Sequence, residues 1–299
     1  MANTVNYASM YMNMLDRIFQ EASTTSLMTA KPKDVKFDNV DEKTLYLKKI
    51  SINGLGDYSR TNGYVDGDST VEWESHSFTQ DRGRRFNFDA MDSMEAKTTI
   101  AELMAEAMRT KIIPEIDTYR YTKLYSLAGG SNADATLTHD TVVNAIDTGT
   151  SALNDLEVWK ERLLFISSGC YQTLKESSDT FKSRLVTGQS ASINRNILMF
   201  DEMPVIQVPQ GRFNSAATFY DGSSVGETAG GYTTTGYDLN FMILPLGIAQ
   251  GVIKHFKPKI ISPDANQSAD SWLFAYRLYH DIFVADNKVN GIYIHRKSA

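Results

Sequence analysis

Between residues 92 and 127 the apolar positions Ile100, Leu103, Met104, Ala107, Met108, Ile112 and Ile116 recur at three- and four-residue spacing, the stripe of one long helix. Glu102, Glu106, Arg109, Asp117 and Arg120 fall on the other side, with Glu106/Arg109 and Asp117/Arg120 spaced for weak pairing. Asp92 followed by Glu95 forms a capping box at the start, and Gly129 and Gly130 mark the stop. Pro114 lies inside, where it lacks the amide that would bond Thr110, and predicts a kink rather than a break. Unbroken, such a helix is a beam of about 50 Å.

The pattern before the beam differs. Tyr7, Tyr11, Met14, Leu15, Ile18 and Phe19 predict a short amphipathic helix, followed by a polar stretch from Ser23 to Asn39 that carries Pro32. A helix this short is marginal unless its stripe packs on something, and another subunit is the expected support. From Leu45 to Met91 apolar and polar residues alternate: Leu45 to Ile52, Val71 and Trp73 between glutamates, Phe86 and Phe88 between Asn87 and Asp89. A Gly-, Asn- and Asp-rich turn from Asn53 to Tyr64 separates the first two runs, so a projecting hairpin with too little core to stand alone is predicted.

After the beam, Val142, Val143, Ile146, Leu153 and Leu156 predict a second helix, weakened by Gly149. Arg162 to Ser167 reads as a buried strand leading into a short helix from Ser168 to Ser177, and Asn196 to Phe200 with Pro204 to Val208 as paired strands. Asp221 to Tyr237, rich in Gly, Ser and Thr, reads as a mobile loop before a buried strand from Leu239 to Leu244. Trp272 to Val284 alternates as a long strand, which Asp286 to Gly291 is expected to turn back into Ile292 to His295. These elements predict an α+β chain.

With 42% apolar residues, 299 residues are enough for a sizeable core. A net charge of −6 and a pI near 5.4 argue against general polyanion binding. One cysteine, Cys170, rules out a disulfide within the chain. The first positive charge is Arg17, so no charged leader precedes an apolar run, and no signal peptide is expected. The longest apolar stretch, Phe241 to Ile253, is interrupted and falls short of the roughly 20 residues of a membrane span, so a soluble protein without membrane contact is expected.

Candidate chemistry is sparse. Ser167-Ser168-Gly169-Cys170 joins a strand to a helix, where a nucleophile could be exposed, but no partner His or acid lies at an interpretable spacing. A serine cap and a small buried Cys170 is the preferred reading. Gly54-Leu55-Gly56 begins like a dinucleotide fingerprint, yet Ser59 replaces the third glycine. The histidines 76, 139, 255, 280 and 295 show no ligand spacing, so no catalytic residue, metal or cofactor is expected. Lys254, Lys257 and Lys259 read as a solvated face rather than a DNA-facing run. Asp57, Arg60, Glu72, Glu74, Arg82, Arg84 and Arg85, on or beside the hairpin, are either solvated or contacts between subunits.

The order of parts resembles the major capsid protein of tailed double-stranded DNA bacteriophages, with the Hong Kong 97 type of shell fold. The resemblance rests on Gly54-Leu55-Gly56-Asp57-Tyr58-Ser59-Arg60 with Asn62-Gly63-Tyr64, on Asp81 to Phe86, Phe88-Asp89 and Met91-Asp92, on Phe200 to Ile206, and on Tyr276 to Asp281. It implies an N-terminal arm (1–43), an extended loop (44–91), the spine helix of a peripheral domain (92–130), a mainly axial domain (131–254) and a terminal β-hairpin (255–299). It further implies a non-enzymatic subunit of hexamers and pentamers that close around double-stranded DNA without reading its sequence. A portal, a separate scaffold or none, and a shell with or without decoration proteins are implied, in the virion and, during assembly, the host cytoplasm. An encapsulin-like compartment is the alternative within the fold, and a small α/β hydrolase at Cys170 the remote one.

Overall fold

The computed structural model describes residues 14–15, 17–19, 21–29, 35–37, 43–61, 63–89, 100–159, 161–177, 185–190 and 193–298. Tyr7, Tyr11, Pro32 and the capping box at Asp92 and Glu95 lie outside them.

The first sheet is antiparallel: β1 (Val35–Phe37), β2 (Thr44–Ile52) and β3 (Ser69–Ser77), in that order. β4 (Gln80–Asp89) does not join it. The alternation at Phe86 and Phe88 is that of a strand, but β4 pairs with β13 (Ser271–Phe283), which also pairs with β12 (Gln250–Ile261), all antiparallel. The predicted hairpin is therefore β2–β3, and Arg82, Arg84 and Arg85 stand on the body.

The beam is helical from 100 to 127, about 42 Å. It comprises α1 (Ile100–Ala107), a π-helical turn (Met108–Ile112) and α2 (Ile113–Leu127). The π turn ends one residue before the proline's immediate neighbour: its wider hydrogen-bond register accommodates Pro114, which has no amide for the carbonyl of Thr110. Gly129 and Gly130, both at positive φ, end the helix, and the Gly130 amide bonds the Tyr125 carbonyl at 3.1 Å.

Beyond it run β5 (Ala133–Asp134), α3 (Val142–Asp155), β6 (Arg162–Ser167), α4 (Ser168–Glu176), β7 (Leu185–Ser190), β8 (Ile193–Phe200), β9 (Met203–Val208), β10 (Asn214–Phe219), β11 (Tyr232–Pro245) and β14 (Tyr293–Arg296). Their strands form an eight-stranded mixed sheet in the order β5-β14-β11-β6-β9-β8-β7, with β10 on β11. Both faces are covered. Leu163 and Phe165 point toward Tyr121, Leu124 and Phe213, whereas Leu164 and Ile166 point toward Val142, Ile146 and Leu174 of α3 and α4. Burial on both faces explains why Leu163 to Ile166 of β6 are apolar without interruption.

Three further expectations need correction. Leu15, Ile18 and Phe19 are buried against Met104, Met108, Ile116, Phe274 and Tyr276 of their own chain, so the amphipathic segment finds its support within the subunit. Tyr232 to Tyr237 belong to β11 and pair with β10, leaving the loop at 220–231. β13 and β14 form no hairpin: the turn at Asp286–Gly291 carries the chain to the central sheet, where β14 pairs with β11 and β5.

Candidate assembly surfaces

Register gives the β2–β3 hairpin two unlike faces. Directly opposed residues share a face, so Lys48↔Trp73 and Ile50↔Val71 lie with Ile52 on one, and Leu47↔Glu74, Lys49↔Glu72 and Ser51↔Thr70 on the other. At the root, Leu45 and Leu47 are buried against Phe78, Val252 and Phe283, which anchors the hairpin. Farther out the first face is uncovered: Trp73 is 45% exposed, Ile50 48%, Val71 57% and Ile52 73%. Lys36 of β1 lies over the Trp73 ring at 5.7 Å. The tip at 53–68 exposes Leu55, Tyr58, Tyr64 and Val65; reciprocal backbone bonds between Ser59 and Gly63 and a 4.9 Å contact of the Tyr58 and Tyr64 rings shape it. An apolar face this exposed is a candidate interaction surface.

The charged candidates do not form one cluster. Asp57, Arg60, Glu72 and Arg85 are exposed. Glu74 turns back, 3.2 Å from His76, and accepts from the Asp286 amide at 3.3 Å. Arg82 pairs with Glu115 of α2 at 2.7 Å. Arg84 donates to the carbonyls of Ala229 and Thr228 at 2.7 and 2.9 Å. Arg82 and Arg84 thus bind their own chain.

Sequence reasoning missed the buried polar centre of the chain. Asp117 and Arg120, predicted on the charged side of the beam, are completely buried. The Asp117 carboxylate accepts from the Ser23 hydroxyl (2.7 Å), the Thr24 amide and hydroxyl (both 3.0 Å), the Thr25 hydroxyl (2.6 Å) and the Arg212 guanidinium (3.3 Å). Arg120 donates to the Thr25 carbonyl and hydroxyl at 3.1 and 3.0 Å, so Thr25 mediates the pairing expected between the two charges. Burial lowers the Arg120 pKa to about 10 against the opposing pull of Asp117. The signal was present: Ile113, Asp117, Arg120 and Leu124 share helical spacing, placing both charges on the buried stripe.

A second network joins the beam to β13. The Tyr119 hydroxyl donates to Asp281 at 2.7 Å, and the Thr79 amide and hydroxyl donate to the same carboxylate, both at 2.9 Å. Burial, with Asp281 alongside, raises the Tyr119 pKa above the ordinary phenol range. His280, packed edge-on to Tyr119, is lowered to about 3, first by burial and then by Arg120 and Arg82.

At the strand-turn-helix, the Ser167 hydroxyl accepts from the Cys170 amide at 3.2 Å and caps α4. Cys170 is buried and its thiol is pushed up to about 12, the reverse of an activated nucleophile. Gly54 to Gly56 lie in the exposed tip and no helix follows them. Lys254 sits over the Phe78 ring at 5.9 Å and Lys259 is exposed, while the side chain of Lys257 lies outside the described residues. Among the described residues no three His, Cys, Asp or Glu side chains are grouped to hold a metal, and no helix is long and apolar enough to cross a membrane.

No protein-family model matches the chain, and no curated protein matches it. Solved structures do. The capsid of the cyanophage P-SCSP1u superposes with a TM-score of 0.63 at 8% identity, covering 86% of this chain and 84% of that one. The mature capsid of bacteriophage PhiM1 gives 0.59 at 11% identity, covering 86% and 83%. A virus-like particle from Pyrococcus furiosus gives 0.51 at 10% identity, covering 97% and 99%. With the long helix, the β2–β3 hairpin and the mixed central sheet in place, this chain has the Hong Kong 97-type shell fold.

Proposed function

We propose that the chain is the structural subunit of a phage head, joining in hexamers and pentamers that close around double-stranded DNA. The observation that carries this reading is the exposed apolar face of Ile50, Val71 and Ile52, with Trp73 half-exposed beside them, on the β2–β3 hairpin. A face on a protrusion and a receiving surface elsewhere on the same molecule make a head-to-tail contact, and such contacts repeated about rotation axes build rings and closed shells. The fold, shared with phage capsids, supports the same conclusion. The reading is non-enzymatic: its most nucleophile-like turn holds a protonated, buried thiol. It includes the arm, the spine helix and the mainly axial domain given above, with the extended loop limited to β2–β3 and no hairpin between β13 and β14, a separate scaffold or none, a portal and a shell with or without decoration proteins, and a place in the virion after assembly in the host cytoplasm.

Electron microscopy of the purified chain tests the reading: closed particles of uniform size are expected, and a monodisperse monomer under all assembly conditions would overturn it. The likeness to the Pyrococcus particle supports a second reading, a protein compartment that encloses protein cargo. Nuclease-protected DNA in particles from infected cells favours the phage head, and a co-purifying enzyme favours the compartment.

A further inference from the structure

We propose that Asn53 is a modification site, where the Gly54 amide nitrogen closes on the Asn53 carboxamide and converts the residue to isoaspartate or aspartate in the unassembled subunit. Asparagine before glycine is the pair in which this ring closure meets least hindrance, because glycine brings no Cβ against the attacked carbon. The sequence has such pairs at Asn53, Asn62 and Asn290, and the fold treats them differently. Asn53 and Gly54 are both exposed at the start of the hairpin tip, outside any strand. The Asn53 backbone amide closes the hairpin on the Asp68 carbonyl at 3.1 Å. Among the described residues, however, neither the Asn53 carboxamide nor the Gly54 amide makes a hydrogen bond, and a Cβ on Gly54 would meet nothing within 4 Å. Asn62 lies outside the described residues, and the Gly63 amide is committed to the Ser59 carbonyl at 2.7 Å. Asn290 is exposed but belongs to the 3-10 turn Asp286–Gly291, and Gly291 is buried where a Cβ would stand 2.6 Å from Ile248. A 3-10 backbone holds ψ away from the value that ring closure requires, and close packing keeps it there. Of the two pairs described in full, Asn53–Gly54 is the one whose reacting groups are free to meet.

Water is the one reagent the step needs. Solvent base takes the Gly54 amide proton, the nitrogen bonds to Asn53 Cγ, and the bond from Cγ to the carboxamide nitrogen breaks, so that this nitrogen leaves as ammonia with a proton returned from solvent. Water then opens the succinimide. Opening at Cγ leaves aspartate; opening at the main-chain carbonyl leaves isoaspartate, whose backbone runs through Cβ and is longer by a methylene. Either product adds a negative charge to a tip that already carries Asp57, Asp66 and Asp68 against Arg60. The isoaspartyl link also lengthens the chain beside the bond that closes the hairpin, next to Ile52 of the exposed apolar face. Subunits left unassembled therefore lose their fit with age, a consequence that rests on the shell reading, as the modification itself does not.

The test is peptide mapping by mass spectrometry of the full unassembled chain, held for days at mildly alkaline pH beside Asn53→Gln and Gly54→Ala. The wild type should exchange an amide for a carboxyl at residue 53, with isoaspartate among the products, several times faster than at Asn290. Gly54→Ala, whose new Cβ has open space, should convert several times more slowly with circular dichroism unchanged. In urea, residues 53 and 290 should convert at similar rates. Equal rates at the two positions in the folded chain overturn the site, and conversion of Gly54→Ala as fast as the wild type overturns attack by the Gly54 nitrogen. A difference that persists in urea overturns protection of Asn290 by its turn. Aged wild type should give fewer closed particles in sedimentation than equally aged Asn53→Gln, and equal yields overturn the loss of fit. Fresh wild type that forms no particles counts against the shell reading instead, with the mapping still deciding whether Asn53 is modified.

Discussion

Thr25 donates its hydroxyl to Asp117 across 2.6 Å, a contact between residues 92 positions apart that fastens the amino-terminal segment to the beam. The same hydroxyl accepts from Arg120 at 3.0 Å, so one small side chain stands between two buried charges. Removing the carboxylate strands Arg120 and several donors, whereas removing the hydroxyl breaks only its own bonds. We expect Asp117→Ala to cost about 3–5 kcal/mol and Thr25→Val about 1–3 kcal/mol. Urea denaturation of the unassembled subunit checks both. A loss below about 1 kcal/mol in Asp117→Ala would show that the network carries little stability.

The hairpin prediction concerns which face matters. Replacing Ile52 and Val71 by threonine keeps β-branched residues in the strands and changes side chains already largely exposed, so subunit stability should move by no more than about 0.5 kcal/mol. Closed particles should be lost all the same. The control is Lys49→Gln with Glu72→Gln on the opposite face, which should assemble normally. Loss of assembly in the control but not in the threonine pair would reverse the assignment of the faces.

These surfaces were unevenly legible in the sequence. Local signals held: the glycine stop at 129 and 130, the serine cap at 167 and the apolar run of β6 each depend on residues close in the chain. Strand partners followed for β2 with β3 and for β8 with β9 but not elsewhere, because alternation identifies a strand and says nothing of its neighbour; proximity in sequence also paired β4 with the hairpin and β13 with β14, and packing of the sheets decided otherwise. Asp117 and Arg120 were misplaced for a different reason. Charge was taken as a mark of exposure, while the serine and threonine donors that make burial tolerable lie over ninety residues away. The bare face of Trp73 and Ile50 needed the β2–β3 register before it could be seen as one patch.

Acid should weaken the subunit through His280. Its folded pKa is lowered from 6.5 to about 3, so the folded chain refuses a proton that the unfolded chain accepts. Above pH 6.5 neither state is protonated and His280 contributes no pH dependence. Between 6.5 and about 3 the unfolded state binds more protons, and stability falls on acidification by up to about 1.4 kcal/mol per pH unit from this group. His295, lowered by burial, adds to the same trend. Denaturation curves measured from pH 7 to pH 4 should show a shallower slope for His280→Gln than for the wild type. Parallel slopes would mean that His280 gains its proton in the folded state as readily as in the unfolded one.

Gly149 separates helix propensity from packing. It lies inside α3, where glycine is less favourable than alanine by about 1 kcal/mol, so an isolated helix would gain from the exchange. In the folded subunit the helix lies against β14, and a Cβ at this position would stand 2.8 Å from two atoms of the Tyr293 ring and 3.2 Å from Ile243. Both neighbours belong to the buried cluster under α3, and Tyr293 is itself packed on Phe241, so neither ring nor methyl has space to retreat. Overpacking of this kind costs about 1–3 kcal/mol, which offsets or exceeds the propensity gain. Gly169 in α4 is the comparison: a Cβ there meets nothing within 4 Å. Gly149→Ala should therefore lower the melting temperature of the unassembled subunit, and Gly169→Ala should leave it unchanged or raise it. If both variants melt higher than the wild type, α3 is not held against Tyr293 at this distance, and the close approach of helix and sheet is not what selects glycine at 149.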